Sequence, residues 1–332
     1  MSHRQKTKYR KYDFSLAWPD LEKIPFIEWL KQECKEKKLA FLQIHDGNVA
    51  SVIQRIENRR LRLGFLLDMN ATYNLQGNLY ARLCYATKDA GCKVVDDPVY
   101  AQFSLDKSAT HNSFIDASIP VPHTIIVRNW QFDRLKITDS DKRRLGVPFI
   151  IKPAFGYGGK GVIRDAEWRL EDITRARNYD RTDNFLLQEK ITPVSFGDRE
   201  AWFRVFYLFG EIMPCWWDTK TGEYNRVTRK EYARYKLRNL MEIPLKIARI
   251  TRMEWFSTEI AYSRRNRSIG PVAVDYINDQ CDMGVKSQDP TSPPDALVKY
   301  ITKKMVKVAR LVKDKKKLTN KPVLKLATSR SV

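Results

Sequence analysis

The sequence predicts a mixed α/β protein that opens with a small parallel α/β subdomain and continues into a larger α+β body. Three observations carry that expectation. Between residues 39 and 104, short apolar runs alternate with helical patterns, as in parallel strands joined by crossover helices. Residues 148–163, PFIIKPAFGYGGKGVI, read as strand, glycine-rich hairpin, strand. Further on, the apolar runs 256–261 (FSTEIA) and 272–278 (VAVDYIN) each contain a single carboxylate, which presents an acid at a strand or domain edge.

The first subdomain follows in order. Residues 1–38 are mostly polar, with an amphipathic patch at 24–30 (IPFIEWL) that suits a short helix. A strand is expected at 39–44 (LAFLQI), ending in His45-Asp46-Gly47. Val49, Val52, Ile53 and Ile56 then share one helical face. A second strand at 63–67 ends in Asp68, a helix runs over 73–90 to a stop at Gly91, and Val94-Val95 makes a third strand. His45, Asp46, Asp68 and Asn70 would gather at one sheet edge, where such folds bind ligands. A lone histidine after a strand also serves simply as a turn residue.

Composition sets the outer bounds. A chain of 332 residues holds two or three subdomains, and 43% apolar with 11% aromatic residues says globular. No run approaches the ~18 apolar residues of a membrane span. The start, MSHRQKTKYRKYDF, lacks an apolar core, so no secretory signal is expected. Cys34, Cys84, Cys92, Cys215 and Cys281 are scattered without a CxxC pair, which fits reduced thiols in a cytoplasmic compartment and argues against zinc. The formal charge of +21 suggests nucleic acid, an anionic surface or an acidic ligand. Much of it lies at residues 4–11 and 303–325. Those runs read either as polyanion contacts or as solvated ends, and residues 309–332 are expected to form a disordered tail.

The glycine-rich hairpin carries the sharpest chemistry. Gly156, Gly158, Gly159 and Gly161 let the backbone turn at positive φ and let its N–H groups approach an anion. Lys152 and Lys160 flank or enter the loop as point charges suited to phosphate. A loop closing over nucleotide phosphates and a flexible hairpin that happens to contain lysines both fit. Upstream, Asp106-Lys107 opens a helix through Phe114, Ile119-Pro120-Val121-Pro122 forces extended chain, and 124–127 is again a strand.

Taken in order, these pieces resemble the ATP-grasp superfamily, in particular its ribosomal-S6-modifying, glutathione-synthetase and D-alanine-ligase branch. The resemblance runs from about residue 39 to 308. It implies a small subdomain at 39–104 and a two-lobed grasp at 105–308, with a glycine-rich lid lobe over about 124–190 and a metal-bearing lobe over 191–308. Residues 185–191 (FLLQEKI) resemble the hinge strand, which places Gln188, Glu189, Lys190 and Ile191 along the adenine edge. Residues 202–211 (WFRVFYLFGE) resemble the Arg-bearing strand pair, which sets Arg204 beside the phosphates. By the same resemblance Lys107, Lys152, Gly156, Tyr157, Gly158, Gly159, Lys160 and Gly161 bind ATP. Arg204 and Lys160 would serve catalysis, and Glu259, Asp275 and Asn278 would hold Mg²⁺.

Residue chemistry agrees in part. Mg²⁺ takes oxygen ligands, commonly one or two carboxylates plus nucleotide phosphates. Glu259 fits that role, and equally a salt bridge to Arg264, Arg265 or Arg267. Asp279 and Asp282 stand in reserve. Two departures from the family pattern stand out. Its second metal motif is Glu-x-Asn, whereas this chain has Asp275-Tyr276-Ile277-Asn278. Where relatives carry basic or small residues, it has Trp216-Trp217, able to wall a substrate pocket or cap a sheet. Arg226, Arg229 and Lys230 suit an anionic group or a solvated basic turn.

The implied activity is a Mg-ATP-dependent ligase that activates a carboxylate as acyl-phosphate and joins it to an amine or thiol, with small-molecule or peptide substrates. A non-catalytic ATP-binding grasp module, with a regulatory or scaffold role, is the alternative. A nucleic-acid binder acting through the basic ends is a third, with no stacking-aromatic or helix-turn-helix pattern behind it.

Overall fold

Four short strands, Phe41–Ile44, Phe14–Ala17, Phe65–Asp68 and Lys93–Val95, run parallel in that order across the first sheet. The structure, a computed structural model, describes residues 9–20, 24–130, 137–156, 158–265, 267–318 and 320–328. Three of these strands match the expected ones. The fourth corrects the expectation, because an inner strand comes from the stretch read as a polar lead-in. Phe14, Ser15, Leu16 and Ala17 have no exposed surface at all. A strand buried on both faces reads as a near-continuous apolar run, and FSLA is one interrupted only by Ser15. It was hidden by its length and by the basic segment before it, so the division at residue 38 does not stand.

Helices Val49–Glu57 and Leu79–Asp89 cover one face of this sheet, burying Val52, Ile53, Ile56, Leu83 and Cys84 against Leu66 and Val94. The second helix starts later than expected because Asn78 caps it, its Oδ1 accepting the Ala81 N–H at 2.9 Å. Helices Pro25–Glu36 and Asp295–Lys313 cover the other face, sharing a core with Phe14, Leu16, Phe65 and Leu67.

Two larger antiparallel sheets follow, besides two-stranded pairings of Arg10–Tyr12 with Leu61–Leu63 and of Ser195–Phe196 with Arg199–Glu200. The smaller, here the lid sheet, has the order Thr124–Val127, Phe185–Glu189, Phe149–Pro153, Ile163–Ala166. Leu145 from helix Asp139–Leu145 and Ala176 from helix Leu170–Tyr179 pack on it. The larger has the order Tyr224–Arg226, Glu211–Trp217, Trp202–Leu208, Trp255–Arg265, Ser268–Asn278. Helix Asn239–Thr251 backs this sheet, and helix Lys107–Asp116 buries Phe114 in the same core.

The expected disordered tail is also corrected for its described residues. Residues 309–313 finish the long helix, Val323–Leu324 pairs in parallel with Glu211 and Ile212, and Ala327 bridges to Thr228. Lys313 Nζ donates to Asp13 Oδ2 at 2.8 Å, and the Lys325 carbonyl accepts from Arg226 Nη2 at 2.6 Å. An apolar pair between lysines is enough to dock a strand when an open ladder awaits it. No described helix is long and apolar enough to cross a membrane, and all five cysteines are free and buried.

Candidate active site

The two lysines ahead of the glycine loop converge where the lid sheet meets the large sheet. Lys107 is the first residue of its helix, capped by Asp106, and its Nζ donates to the Gly156 carbonyl at 3.1 Å. The same ammonium lies 4.0 Å from Asp275 Oδ1 on the large sheet. Lys152 comes from the lid strand Phe149–Pro153, and its Nζ donates to the Val274 carbonyl at 3.2 Å. Both lysines are only 8% exposed. Burial pushes the Lys152 ammonium down to about 8, with Lys107 adding to the shift while Asp275 and Glu259 oppose it.

A single row of side chains then crosses the large sheet. Arg226 pairs with Cys215, Cys215 with Arg204, Arg204 with Glu259, and Glu259 with Asp275. Residues directly opposite each other in an antiparallel ladder share a face, so the cations and carboxylates stand side by side. Arg204 Nη2 is in direct contact with Glu259 Oε1, and Trp202 Nε1 donates to Glu259 Oε2 at 3.2 Å. The Arg204 guanidinium also covers the Trp217 ring, 4.6 Å from its centroid. Burial pushes the Glu259 carboxyl up and Arg204 pulls it back. Burial likewise works against charge on Arg204 and Asp275. Glu259 nevertheless holds Arg204 firmly protonated, and Lys107, Lys152 and Arg204 keep Asp275 below the usual carboxylate range.

The Asp-x-x-Asn spacing has a structural counterpart. Ile260 pairs with Ala273, Glu259 with Asp275, and Ser257 with Asn278, so the strand Ser268–Asn278 gains a residue on its partner twice within five positions. Each is a bulge. The first brings Asp275 opposite Glu259, and around the two bulges two carbonyls turn toward side chains. Val274 accepts from Lys152, and Asp275 accepts from Thr258 Oγ1 at 3.0 Å. Asn278 stands one pair further along, opposite Ser257. Asp279 lies close by, its carboxyl raised to about 6 by burial.

In the loop, Gly158, Gly159 and Gly161 have φ of +60°, +70° and +72°. A Cβ on Gly161 would fall 2.5 Å from the Tyr179 ring, so only glycine packs there. Lys160 is exposed. Tyr157 lies outside the described residues. On the strand Phe185–Glu189, the Glu189 carboxylate meets Arg265 and the His123 N–H, while its own N–H donates to the His123 carbonyl at 2.8 Å. Thus Arg265, one of the cations expected near Glu259, belongs to Glu189 instead. Lys190 pairs with Asp165, Ile191 is buried, and Gln188 is fully buried with Nε2 donating to Thr124 Oγ1 at 3.0 Å. A cleft of about 660 Å³ lies beside the loop, between Gly161–Asp165 residues and Arg175, Asn178 and Tyr179. It contains none of the converging charges.

The tryptophan pair divides. Trp216 is core, 4.4 Å from the Phe203 ring, and Trp217 is half-buried beneath Arg204. Arg229 and Lys230 are exposed, whereas Arg226 turns inward to the Lys325 carbonyl. Trp202, Tyr276 and the Val274 carbonyl were not foreseen. Trp202 was legible in principle, two residues from Arg204 and therefore on the same strand face.

The donor set can be tested against a metal and a nucleotide. Three cations (Lys107, Lys152, Arg204) face two carboxylates (Glu259, Asp275). Arg204 Nε and Asp275 Oδ1 are buried without a hydrogen-bond partner among the described residues. Three converging cations beside one orphaned carboxylate oxygen fit a polyphosphate carrying its own divalent ion. Among the described residues no group of three or more His, Cys, Asp or Glu side chains could hold a metal by itself. A metal here would need further oxygens from a bound ligand.

No family model matches the chain. A stretch of 72 residues is 32% identical to the D-alanine–D-alanine ligase of Corynebacterium efficiens and 33% identical to that of Corynebacterium glutamicum; it spans 22% of this chain and only 18% of either relative. Among solved structures, a RimK-domain ATP-grasp protein from Sphaerobacter thermophilus superposes with a TM-score of 0.59 at 13% identity, covering 89% of this chain and 99% of that one. The D-alanine–D-alanine ligase from Bacillus anthracis, solved with ATP, gives 0.60 at 12% identity over 92% and 99%. The ATP-grasp ligase PsnB, in complex with a precursor peptide and AMPPNP, gives 0.56 at 11% identity over 90% and 99%. With its parallel first sheet, lid sheet and large antiparallel sheet, the chain has the ATP-grasp fold.

Proposed function

We propose that the protein is an ATP-dependent ligase that activates a carboxylate as an acyl-phosphate and joins it to an amine or thiol. The observation that carries this is the meeting of Lys107, Lys152, Arg204, Glu259 and Asp275 at the junction of the two sheets. ATP is a substrate in this scheme. A carboxylate oxygen of the acid attacks the γ-phosphorus and ADP leaves; the amine nitrogen then attacks the acyl carbon, phosphate leaves, and the amine gives up a proton. Such chemistry asks for positioning and charge neutralisation rather than a protein nucleophile.

The residues divide the work. Lys107 and Lys152 hold α- and β-phosphate oxygens from two different elements. The loop of Gly156, Tyr157, Gly158, Gly159, Lys160 and Gly161 closes over the outer phosphates, with Lys160 as its cation. Arg204 meets charge on the transferred phosphoryl group. Gln188, Glu189, Lys190 and Ile191 form the adenine edge. Glu259, Asp275 and Asn278 would hold Mg²⁺, which when bound neutralises phosphate charge. Since one neighbour is a ligase bound to a precursor peptide, a peptide is a fitting source of the acid or the amine.

The contact between Arg204 and Glu259 favours a second reading. Glu259 is already neutralised, so a grasp module that binds nucleotide without turnover is the competing function. Thermal melting with MgATP tests binding first. Ligand at ~100-fold above its dissociation constant adds about 2.7 kcal/mol, and the shift should vanish in Lys152→Ala. Release of ADP on adding mixed carboxylates and amines then separates ligase from module. A folded wild type that shows no shift with any nucleotide sinks both.

A further inference from the structure

We propose that Tyr276 is a positioning residue that holds the Lys152 ammonium in place and locks together the four elements carrying the nucleotide-site candidates. Its consequence for nucleotide binding rests on the ligase reading, while its geometry does not.

Tyr276 is 1% exposed, on the strand Ser268–Asn278 directly after Asp275. Its hydroxyl lies 2.6 Å from His111 Nδ1, on the helix that Lys107 opens. Gln188 Nε2, on the lid strand Phe185–Glu189, donates to the same hydroxyl at 3.4 Å and to Thr124 Oγ1 at 3.0 Å. The ring packs edge-on against Phe114 at 5.1 Å and offers its face to Lys152 Nζ, 5.4 Å from the centroid. One tyrosine therefore touches the helix of Lys107, the lid strands of Lys152 and Gln188, and the strand of Asp275.

Packing alone does not call for this arrangement. Phenylalanine would fill the same volume without a hydroxyl to satisfy, and the His111 and Gln188 side chains, 2% and 1% exposed, converge on that hydroxyl. Three buried polar groups meeting at one point specify a geometry, since each is costly unless the others are in place. Burial, reinforced by the charge on Lys152, keeps His111 neutral, its value lowered to about 4, so the hub adds no competing cation. Lys152 has three N–H donors and, among the described residues, one acceptor, the Val274 carbonyl. The face of Tyr276 is the second support for that charge, and a cation over a ring gains most where water is excluded.

The test uses Tyr276→Phe, which keeps the ring and loses the hydroxyl, and Tyr276→Leu, which loses both. Acylation of each lysine by acetic anhydride, read by peptide mass spectrometry, reports how well Lys152 is held without any nucleotide. Melting without ligand checks the fold, and titration with MgATP reads affinity. We expect Lys152 to acylate about ten-fold faster in Tyr276→Leu, with the other lysines unchanged. Affinity should fall about five-fold in Tyr276→Phe, the factor of one ordinary hydrogen bond. It should fall about thirty-fold in Tyr276→Leu, where the ring contact goes as well. Unchanged acylation of Lys152 in Tyr276→Leu overturns the proposal. Should that variant melt below the assay temperature, unchanged acylation and affinity in Tyr276→Phe overturn it instead. Faster acylation in variants of a wild type that never binds MgATP would uphold the positioning role and remove the ligase reading.

Discussion

Changing Glu259 to glutamine removes one charge from a buried pair while keeping the side chain's volume and an oxygen for the Trp202 indole. The pair is well covered, with 16% of the Arg204 side chain and 12% of the Glu259 side chain exposed. Removing one partner of a buried pair costs about 3–5 kcal/mol, because the other charge is left in a poor solvent. An unfolding entropy of about 2.1 cal/mol/K per residue gives roughly 0.7 kcal/mol/K for 332 residues. The melting temperature should therefore fall by about 4–7 °C, measured by calorimetry without ligand. The double variant Arg204→Met, Glu259→Gln should recover most of that loss, since no charge is then stranded. A fall of under ~1 °C would place the pair among solvent-screened contacts. A double variant no more stable than the single one would show that the cost is packing. Either result refutes the reasoning.

The remaining predictions concern Lys152 and the C-terminal strand. The folded-state Lys152 value of about 8 lies below the ordinary 10.5, so between those pH values the unfolded chain binds more protons and this residue's contribution to stability grows as pH rises. Nucleotide affinity should move the other way, falling by up to about ten-fold per pH unit above 8 as the ammonium is lost. Calorimetric titration with MgATP from pH 7 to 9.5 checks this, and a flat profile would show that Lys152 does not meet phosphate. Deleting the chain from residue 321 removes the N–H bonds of Val323, Lys325 and Ala327 to Gly210, Ile212 and Val227, at 2.8–3.0 Å. At about 1 kcal/mol each, they predict a loss of about 3 kcal/mol in urea unfolding, and an unchanged midpoint would contradict a docked strand.

What was legible depended on length and on motif order. The crossover strands and the glycine hairpin could be read because periodicity and loop glycines are local signals. The strand Phe14–Ala17 could not, because four residues, three of them apolar, are too few to show a period and their burial comes from Phe41–Ile44 and Phe65–Asp68 on either side. Val323–Leu324 is shorter still, and its partner lies more than a hundred residues away. Of the candidate site residues, Lys107, Lys152, Arg204, Glu259 and Asp275 lie near one another. That Arg204 rather than Arg264, Arg265 or Arg267 neutralises Glu259 was beyond any local signal. It follows from the register of Trp202–Leu208 against Trp255–Arg265, which spacing along the chain does not reveal.

The extra residue between Asp275 and Asn278 is best understood through that same register. In an unbroken ladder continuing from Ile260 opposite Ala273, Glu259 would face Val274 and Asp275 would pair with Thr258, on the opposite face of the sheet. The first bulge undoes this by moving Asp275 forward to Glu259. The second absorbs the added residue before Asn278 reaches Ser257. A bulge costs ladder hydrogen bonds, and here the displaced carbonyls find Lys152 and Thr258 as donors. Lys152 thereby gains an acceptor that a regular strand would have kept within the sheet. The departure from Glu-x-Asn and the anchoring of the lid lysine on the large sheet are thus two views of one local geometry. That geometry also sets Tyr276 one residue past the relocated acid, with its ring against the lysine that the first bulge engages.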